Sequence, residues 1–194
     1  MRTPIESTDR RVRRSSRMLK EAFLELMREK GFSSITVQDI ADKADMNRGT
    51  FYAHFPDKYA LLESSIRGKF LKALNRELPP AAGWNAAHLR LLVRCVLEHF
   101  KNMHGRCYPA DTVNPLFEHV VQEELRALLA HWLREARANS PEWPVSADVL
   151  ALMTSWGIFG AAVDWSRGNG KRTAEEMAEK VVEAIMDSGG LTEE

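Results

Sequence analysis

The chain has 194 residues, 44% of them hydrophobic, which is enough for one large domain or two small ones and excludes an intrinsically disordered protein. Basic and acidic side chains balance overall, but residues 1–76 carry 16 Lys and Arg against 10 Asp and Glu, whereas residues 77–194 carry 11 against 17. These net charges of +6 and −6 predict a nucleic-acid-binding face in the first part and a different role for the second.

Several protein classes are disfavoured by missing patterns. Cys95 and Cys107 lack the spacing and the histidine partners of a zinc site, so we expect two reduced thiols and no metal. No apolar run approaches the ~18 residues of a membrane-spanning helix. The first nine residues lack the apolar core of a signal peptide. We therefore expect a cytoplasmic protein. The sequence also contains no Gly-rich phosphate loop, nucleophile elbow or HExxH motif, so we expect that it is not an enzyme and carries no cofactor.

A basic arm, residues 1–14, leads into the first helix, and its arginines can bind DNA phosphates regardless of base sequence. The helix that follows has apolar side chains at helical spacing, which predict one buried stripe. They are Leu19, Ala22, Phe23, Leu26 and Met27. Gly31 is suited to end this helix, because glycine tolerates the left-handed conformation of a helix C-terminus.

Two short helices joined by a tight turn follow. Thr36 is a predicted N-cap, with Asp39 as its capping-box partner. Residues 45–47 form the predicted turn, and residues 47–53 the second helix, with Phe51 and Phe55 facing inward. This is the pattern of a helix-turn-helix, which places its second helix in the DNA major groove.

The outer face of that second helix has side chains that suit a DNA groove. Arg48 can donate two hydrogen bonds to guanine, and Gly49 lets the backbone approach the bases. Thr50 can contact a thymine methyl group, and Tyr52 a sugar or a phosphate. Lys58, at the start of the next helix, can bind a phosphate. The alternative is that these residues form an ordinary three-helix unit, which also occurs in proteins that do not bind DNA.

The rest of the chain is predicted to be helical, without strands. Pro79 and Pro80 end a fourth helix that starts near Lys58. The later predicted helices cover residues 84–103, a short stretch after Tyr108 and Pro109, and residues 116–138, 146–167 and 173–186. We therefore expect an all-α protein of about nine helices.

Residues from about 15 to 65 resemble the N-terminal domain of the TetR family of bacterial transcriptional regulators. The matching residues are Gly31-Phe32, Ile35-Thr36-Val37, Asp39-Ile40-Ala41, Ala44, Met46, Arg48-Gly49-Thr50-Phe51-Tyr52, His54-Phe55, Lys58 and Leu61-Leu62. The resemblance implies a DNA-binding domain at residues 15–60 and a sensing and dimerisation domain at residues 61–194. It also implies that operator DNA is contacted by Thr36, Arg48, Gly49, Thr50, Tyr52, His54 and Lys58.

Among these positions, Arg48 and Thr50 are the candidates for contacting base edges. Thr36, Tyr52 and Lys58 are the candidates for contacting phosphates. His54 either touches a phosphate or caps and packs its helix.

The resemblance further implies a homodimer built from the two C-terminal helices, residues 147–167 and 174–186. The candidate interface residues are Trp156, Gly157, Phe159, Gly160 and Trp165, because small residues allow close packing and aromatic residues supply apolar area. The alternative is that residues 147–167 are buried within one subunit. Residues 159–170 also resemble a subgroup of the family with a short C-terminal domain, common in Gram-positive bacteria.

A small-molecule pocket is expected among the middle helices. Its candidate residues are Trp84, His88, Cys95, His99, Phe100, Met103, Phe117 and Trp132. Aromatic and Met residues at helical spacing are also typical of a plain core, so both interpretations stay open.

Together these features predict a homodimeric repressor that a small-molecule ligand releases from a palindromic DNA operator. Repression is what the family resemblance implies, and an activator is also compatible with the sequence. The alternative function is a TetR-like adaptor or coactivator whose second domain binds a protein partner.

Overall fold

The computed structural model describes residues 4–104, 110–138, 145–168 and 172–188. In these ranges the chain forms eight α-helices and a short 3-10 helix at Phe32–Ser34, without a strand. The helices are α1 (Pro4–Lys30), α2 (Val37–Lys43), α3 (Arg48–His54), α4 (Lys58–Glu77), α5 (Ala86–His104), α6 (Ala110–Ala138), α7 (Ala147–Arg167) and α8 (Ala174–Ser188). The predicted all-α class is confirmed.

The chain divides into two compact units. The first contains residues 1–66 and 107–117, and the second contains residues 67–106 and 118–194. Helix α4 begins in the first unit and ends in the second.

In the first unit, α1 packs against α2, α3 and the 3-10 helix. The apolar stripe of α1 is buried, and the rings of Phe23 and Phe32 meet edge to face with centroids 6.2 Å apart. Phe51 and Phe55 are also buried, as their spacing predicts. These contacts matter for the site because they fix α3 against the other two helices, with its opposite face outward.

Helix α1 is longer than expected. It begins at Pro4, so most of the predicted basic arm is helical. Proline is compatible with the first turn of a helix, and the arginines that follow have high helix propensity.

In the second unit, α5 packs against both α7 and α8, and these two also contact each other. The core consists of aliphatic and aromatic side chains that are almost fully inaccessible to solvent. From α5 they include Leu89, Leu92, Val93, Val96, Leu97 and Phe100; from α6, Val120, Val121, Leu125, Leu129, Trp132 and Leu133; from α7 and α8, Ala151, Ile158, Ala162, Ala178 and Val182.

The short helix and the long helix predicted before and after residue 116 are one helix, α6, with Pro115 inside it. Proline lacks a backbone N–H and usually breaks a helix interior. Pro115 is close to the N-terminus of α6, where few intrahelical bonds depend on it. The chain therefore has eight described α-helices instead of about nine, and the predicted loop at Tyr108 and Pro109 lies outside the described residues.

Candidate nucleic-acid interface

Helix α2 begins at a complete capping box. The Asp39 backbone N–H donates to Thr36 Oγ1 at 3.1 Å, and the Thr36 N–H donates to Asp39 Oδ2 at 2.7 Å. The Thr36 hydroxyl also donates to the same carboxylate, and the Lys30 ammonium lies 2.9 Å from it. The hydrogen bonds from Thr36, followed by that from Lys30, hold the pKa of Asp39 well below its usual value. Thr36 is exposed, but its hydroxyl is already hydrogen-bonded to Asp39 in the first turn of α2.

The turn between α2 and α3 is tight. Asp45 has a φ of 54°, in the left-handed region that Asp tolerates better than most residues. The Met46 N–H then donates to the Ala41 carbonyl at 2.9 Å, which brings the chain back towards α2.

Asn47 caps α3. Its Oδ1 accepts a 2.7 Å hydrogen bond from the Thr50 backbone N–H and a 3.1 Å bond from the Thr50 hydroxyl. A Cβ added at Gly49 would lie 3.1 Å from the same Asn47 oxygen, which is unusually close. A side chain at position 49 would therefore crowd the cap.

The exposed face of α3 presents Arg48, Gly49 and Tyr52, while Thr50 is half-buried. Arg48 Nη2 donates to Tyr52 Oη at 3.2 Å, and the guanidinium lies 5.8 Å from the centre of the tyrosine ring. This contact spans one helical turn and restricts both side chains on the outer surface. Arg48, a predicted base contact, and Tyr52, a predicted phosphate contact, thus lie together.

His54 is in the last turn of α3, half-buried beside Phe55. It lines an open cleft of about 410 Å³ together with one face of α1. The sequence predicted a basic arm before the first helix, and nothing in its pattern linked the α1 arginines to His54. The four-residue spacing of the basic residues Arg13 and Arg17 would have indicated that they share a face.

Lys58 is held by backbone carbonyls of the first unit. Its ammonium donates to the Ile35 carbonyl at 2.8 Å and to the Phe32 carbonyl at 3.2 Å, and lies 3.5 Å from that of Ser33. It is also 4.6 Å from the centre of the Phe32 ring. The sequence pattern did not indicate this contact. A direct phosphate contact would have to compete with these carbonyls for the same ammonium protons.

Two of the predicted ligand-binding residues, His88 and Trp132, lie near each other in the second unit, with ring centres 6.5 Å apart. His88 already has local partners. Its Nδ1 accepts from the Gly83 N–H at 3.0 Å and lies 2.8 Å from Asn85 Nδ2. Trp132 is buried. This edge of the imidazole ring is therefore already hydrogen-bonded to the segment before α5.

Cys95 and His99 lie one turn apart on α5. Burial raises the pKa of the Cys95 thiol to about 11. Burial, with a smaller effect of the Lys69 charge, lowers the pKa of His99 to about 4, and its ring packs 5.3 Å from Phe70. At neutral pH both side chains are therefore uncharged.

The other ligand candidates are dispersed. Phe100 is buried against Phe159, with ring centres 5.3 Å apart, and Trp84 is half-buried in the second unit. Phe117 is buried but is grouped with the first unit. The side chain of Met103 lies outside the described residues.

Helix α7 has an exposed apolar stripe. It consists of Val149, Leu152, Met153 and Trp156, which are 46, 37, 65 and 56% exposed and follow the spacing of one helix face. The predicted interface residues Gly157 and Gly160 are also exposed. Within the described ranges, α7 is the one helix whose length and composition would permit a membrane span, although part of it is buried against the chain.

Two other predicted interface residues are not part of this exposed stripe. Phe159 is buried in the core of its own chain, against Phe100. Trp165 is half-buried, its indole N–H donates to the Arg172 carbonyl at 3.0 Å, and the Lys101 ammonium is 5.4 Å from its ring centre. The exposed stripe is therefore centred on Met153 and Trp156.

Residues 20–64 match a family model that is described as bacterial regulatory proteins, tetR family. The HTH-type transcriptional regulator YxbF of Bacillus subtilis (strain 168) is 42% identical over 60 residues, which cover 30% of this chain and only 16% of that relative. The HTH-type transcriptional repressor KstR2 of Rhodococcus jostii (strain RHA1) is 27% identical over 199 residues, 95% of each chain. The solved structure of the transcriptional regulator FadR of Bacillus subtilis in complex with stearoyl-CoA shares the fold, with a TM-score of 0.57, 16% identity, and coverage of 91% of this chain and 98% of that one.

Proposed function

Because this chain belongs to the TetR family of bacterial transcriptional regulators, we propose that it is a homodimeric repressor that binds a palindromic operator and is released from it by a small molecule. The observation that carries the proposal is the exposed face of α3, where Arg48 and Tyr52 contact each other beside the Asn47 cap. We place the protein in the cytoplasm, where bacterial DNA is.

In this proposal, α3 enters the major groove. The Arg48 guanidinium donates to O6 and N7 of a guanine, and Gly49 allows the backbone to approach the base pairs. Since the Thr50 hydroxyl is bonded to Asn47, its methyl group is the part that contacts a thymine methyl.

Phosphate contacts fix the orientation of α3 in the groove. We assign them to Thr36, Tyr52 and His54, which are exposed or half-buried around α2 and α3. Lys58 contributes by holding the segment before α2 through the carbonyls of Phe32 and Ile35. A direct Lys58–phosphate contact is the competing assignment.

A second copy of the chain completes the DNA-binding unit. One helix-turn-helix contacts few base pairs, whereas two related by a twofold axis can bind half-sites about 34 Å apart. The exposed stripe of α7 supplies an apolar surface that a second copy would cover, with Gly157 and Gly160 allowing close approach.

The effector is proposed to bind in the second unit, near the buried or half-buried polar side chains of His88, Cys95 and His99. The FadR structure with stearoyl-CoA is an example of a protein of this fold that holds a small molecule. Binding would favour a conformation whose two DNA-binding units do not fit successive major grooves. A coupling free energy of about 1–3 kcal/mol is typical of such regulation.

The test of sequence-specific binding is selection from randomised duplex DNA at near-physiological salt, followed by sequencing. The protein is expected to enrich a palindrome. Arg48→Ala should weaken the preference at one base pair per half-site by about 1–3 kcal/mol, whereas Arg126→Ala, on the exposed surface of α6, should leave it unchanged. A folded dimer that enriches no sequence would contradict the proposal, and an unaltered preference in Arg48→Ala would contradict its base contact.

The dimer is tested by sedimentation over a range of protein concentrations. Met153→Glu places a charge in the centre of the α7 stripe and is expected to shift the dimer towards monomer. Asn75→Asp adds the same charge to an exposed site on α4 and should have no effect. An undisturbed Met153→Glu dimer would show that the interface lies elsewhere.

A further inference from the structure

The cleft of about 410 Å³ beside the last turn of α3 is lined by five residues of α1, Val12, Arg13, Ser16, Arg17 and Lys20, together with His54 of α3. The α1 residues recur at intervals of three and four, so they form one face of the helix. This face runs along the middle of α1, beside the last turn of α3.

The lining of the cleft is basic. Three of its six residues are Arg or Lys, a fourth is His54, and none is acidic. Arg17 Nε lies 3.7 Å from a carboxylate oxygen of Glu21, and both side chains are more than 60% exposed. An exposed pair of this kind is worth little, so Glu21 does not neutralise Arg17 strongly.

Lys20 is the half-buried basic residue of this α1 face. Its ammonium donates to the Ser64 carbonyl at 3.4 Å and lies 6.0 Å from the centre of the Phe55 ring. Burial lowers its pKa, which is the direction expected for a cation with few water neighbours. Val12 is 48% exposed, and its apolar surface beside the arginines suits a deoxyribose.

We propose that this cleft binds the DNA backbone next to the base pairs contacted by α3, with Arg13 and Arg17 on phosphates and Val12 on a sugar. The inference rests on the proposed function. His54 connects the cleft with the proposed base-contacting surface, because it belongs to α3 and also lines the cleft.

A polyanion fits this surface better than a small free anion. The cleft is open and both arginines are exposed, so a single anion would keep most of its water. From Val12 to Lys20 the helix rises about 12 Å. A DNA strand carries one phosphate per about 3.4 Å of axis, so this face can meet at least two phosphates and gain from counterion release at each.

The test uses the full chain with Arg13→Ala and Arg17→Ala combined, on a random-sequence duplex and on the selected operator, between about 50 and 200 mM KCl. The slope of log K against log salt should become shallower by about 1.8, and affinity at 0.1 M salt should fall by about tenfold to a hundredfold. The preference for operator over random duplex should not change, because the lost contacts do not involve bases. The control combines Lys72→Ala with Arg126→Ala, which removes two exposed charges from the second unit.

Equal thermal melting of the two double variants confirms that both are folded. An unchanged salt slope in the Arg13/Arg17 variant overturns the cleft assignment even if the protein selects a palindrome. A shallower slope on random duplex, in a protein that selects no palindrome, supports the cleft but rejects the sequence-specific regulator. Absence of any DNA binding by the unmodified protein overturns both.

Discussion

Lys58→Met separates the two roles assigned to this lysine, because it removes the ammonium and keeps most of the side-chain length. The ammonium bonds at 2.8 and 3.2 Å to the carbonyls of Ile35 and Phe32. The contact to Ser33 at 3.5 Å is too long to count. Two hydrogen bonds at about 1 kcal/mol each, with about 0.5–1 kcal/mol from the ammonium over the Phe32 ring, predict a loss of about 2–3 kcal/mol in the stability of the first unit.

Amide hydrogen exchange in α2 and α3 measures this loss. Tryptophan fluorescence is unsuitable, since all five tryptophans follow residue 83 and so lie outside residues 1–66. A destabilisation of about 2–3 kcal/mol should accelerate exchange through opening of the unit by about 30- to 150-fold. Lys72→Met makes the same change at an exposed position of α4 and should leave exchange unaltered.

The opposite result would refute the structural role. If Lys58→Met exchanges like the unmodified protein, the carbonyl contacts do not stabilise the unit. If the salt slope of DNA binding then becomes shallower by about 0.9, the ammonium is a phosphate ligand instead.

Three other predictions follow from caps and buried titratable groups. Asn47→Ala should destabilise α3 by about 1 kcal/mol, seen as faster exchange of the Thr50 amide, whereas Asn47→Ser should retain most of the stability. In a Cys107→Ser variant, the single remaining thiol, Cys95, should react with a disulfide reagent near neutral pH only after denaturant is added, because burial raises its pKa to about 11. The folded pKa of His99, about 4, is below its unfolded value of about 6.5, so stability should be complete above the latter and fall as pH decreases towards the former. Urea denaturation between these pH values should show this loss, and His99→Gln should remove it.

Local features of the first unit were predictable from the sequence. The Thr36 capping box and the Asn47 cap depend on residues three apart, and the burial of Phe51 and Phe55 depends on helical periodicity. Such interactions are encoded within one or two turns of the chain. Lys58 differs because its carbonyl partners lie 23 and 26 residues earlier, and every residue type offers a backbone carbonyl.

The face of α7 was harder to predict for a different reason. The helix is apolar on several sides, so periodicity does not show which side faces its own core. Trp156 and Phe159 are only three residues apart, yet the first is 56% exposed and the second is buried against Phe100. Only the positions of the neighbouring helices decide between them. The cleft between α1 and α3 was missed similarly, because it depends on the packing of two helices.

The seven-residue helix α3 shows how stability and recognition can be divided between two faces. A helix of this length is unstable in isolation, so its structure depends on the Asn47 cap and on Phe51 in the core. Arg48 and Tyr52 are exposed and contact each other, and the Tyr52 ring also meets the Phe51 ring edge to face. If α3 binds DNA as proposed, the exposed side chains of its outer face can change to suit another operator with little loss of the fold. The inner face and the cap cannot change as freely, since they fix the orientation of the outer face.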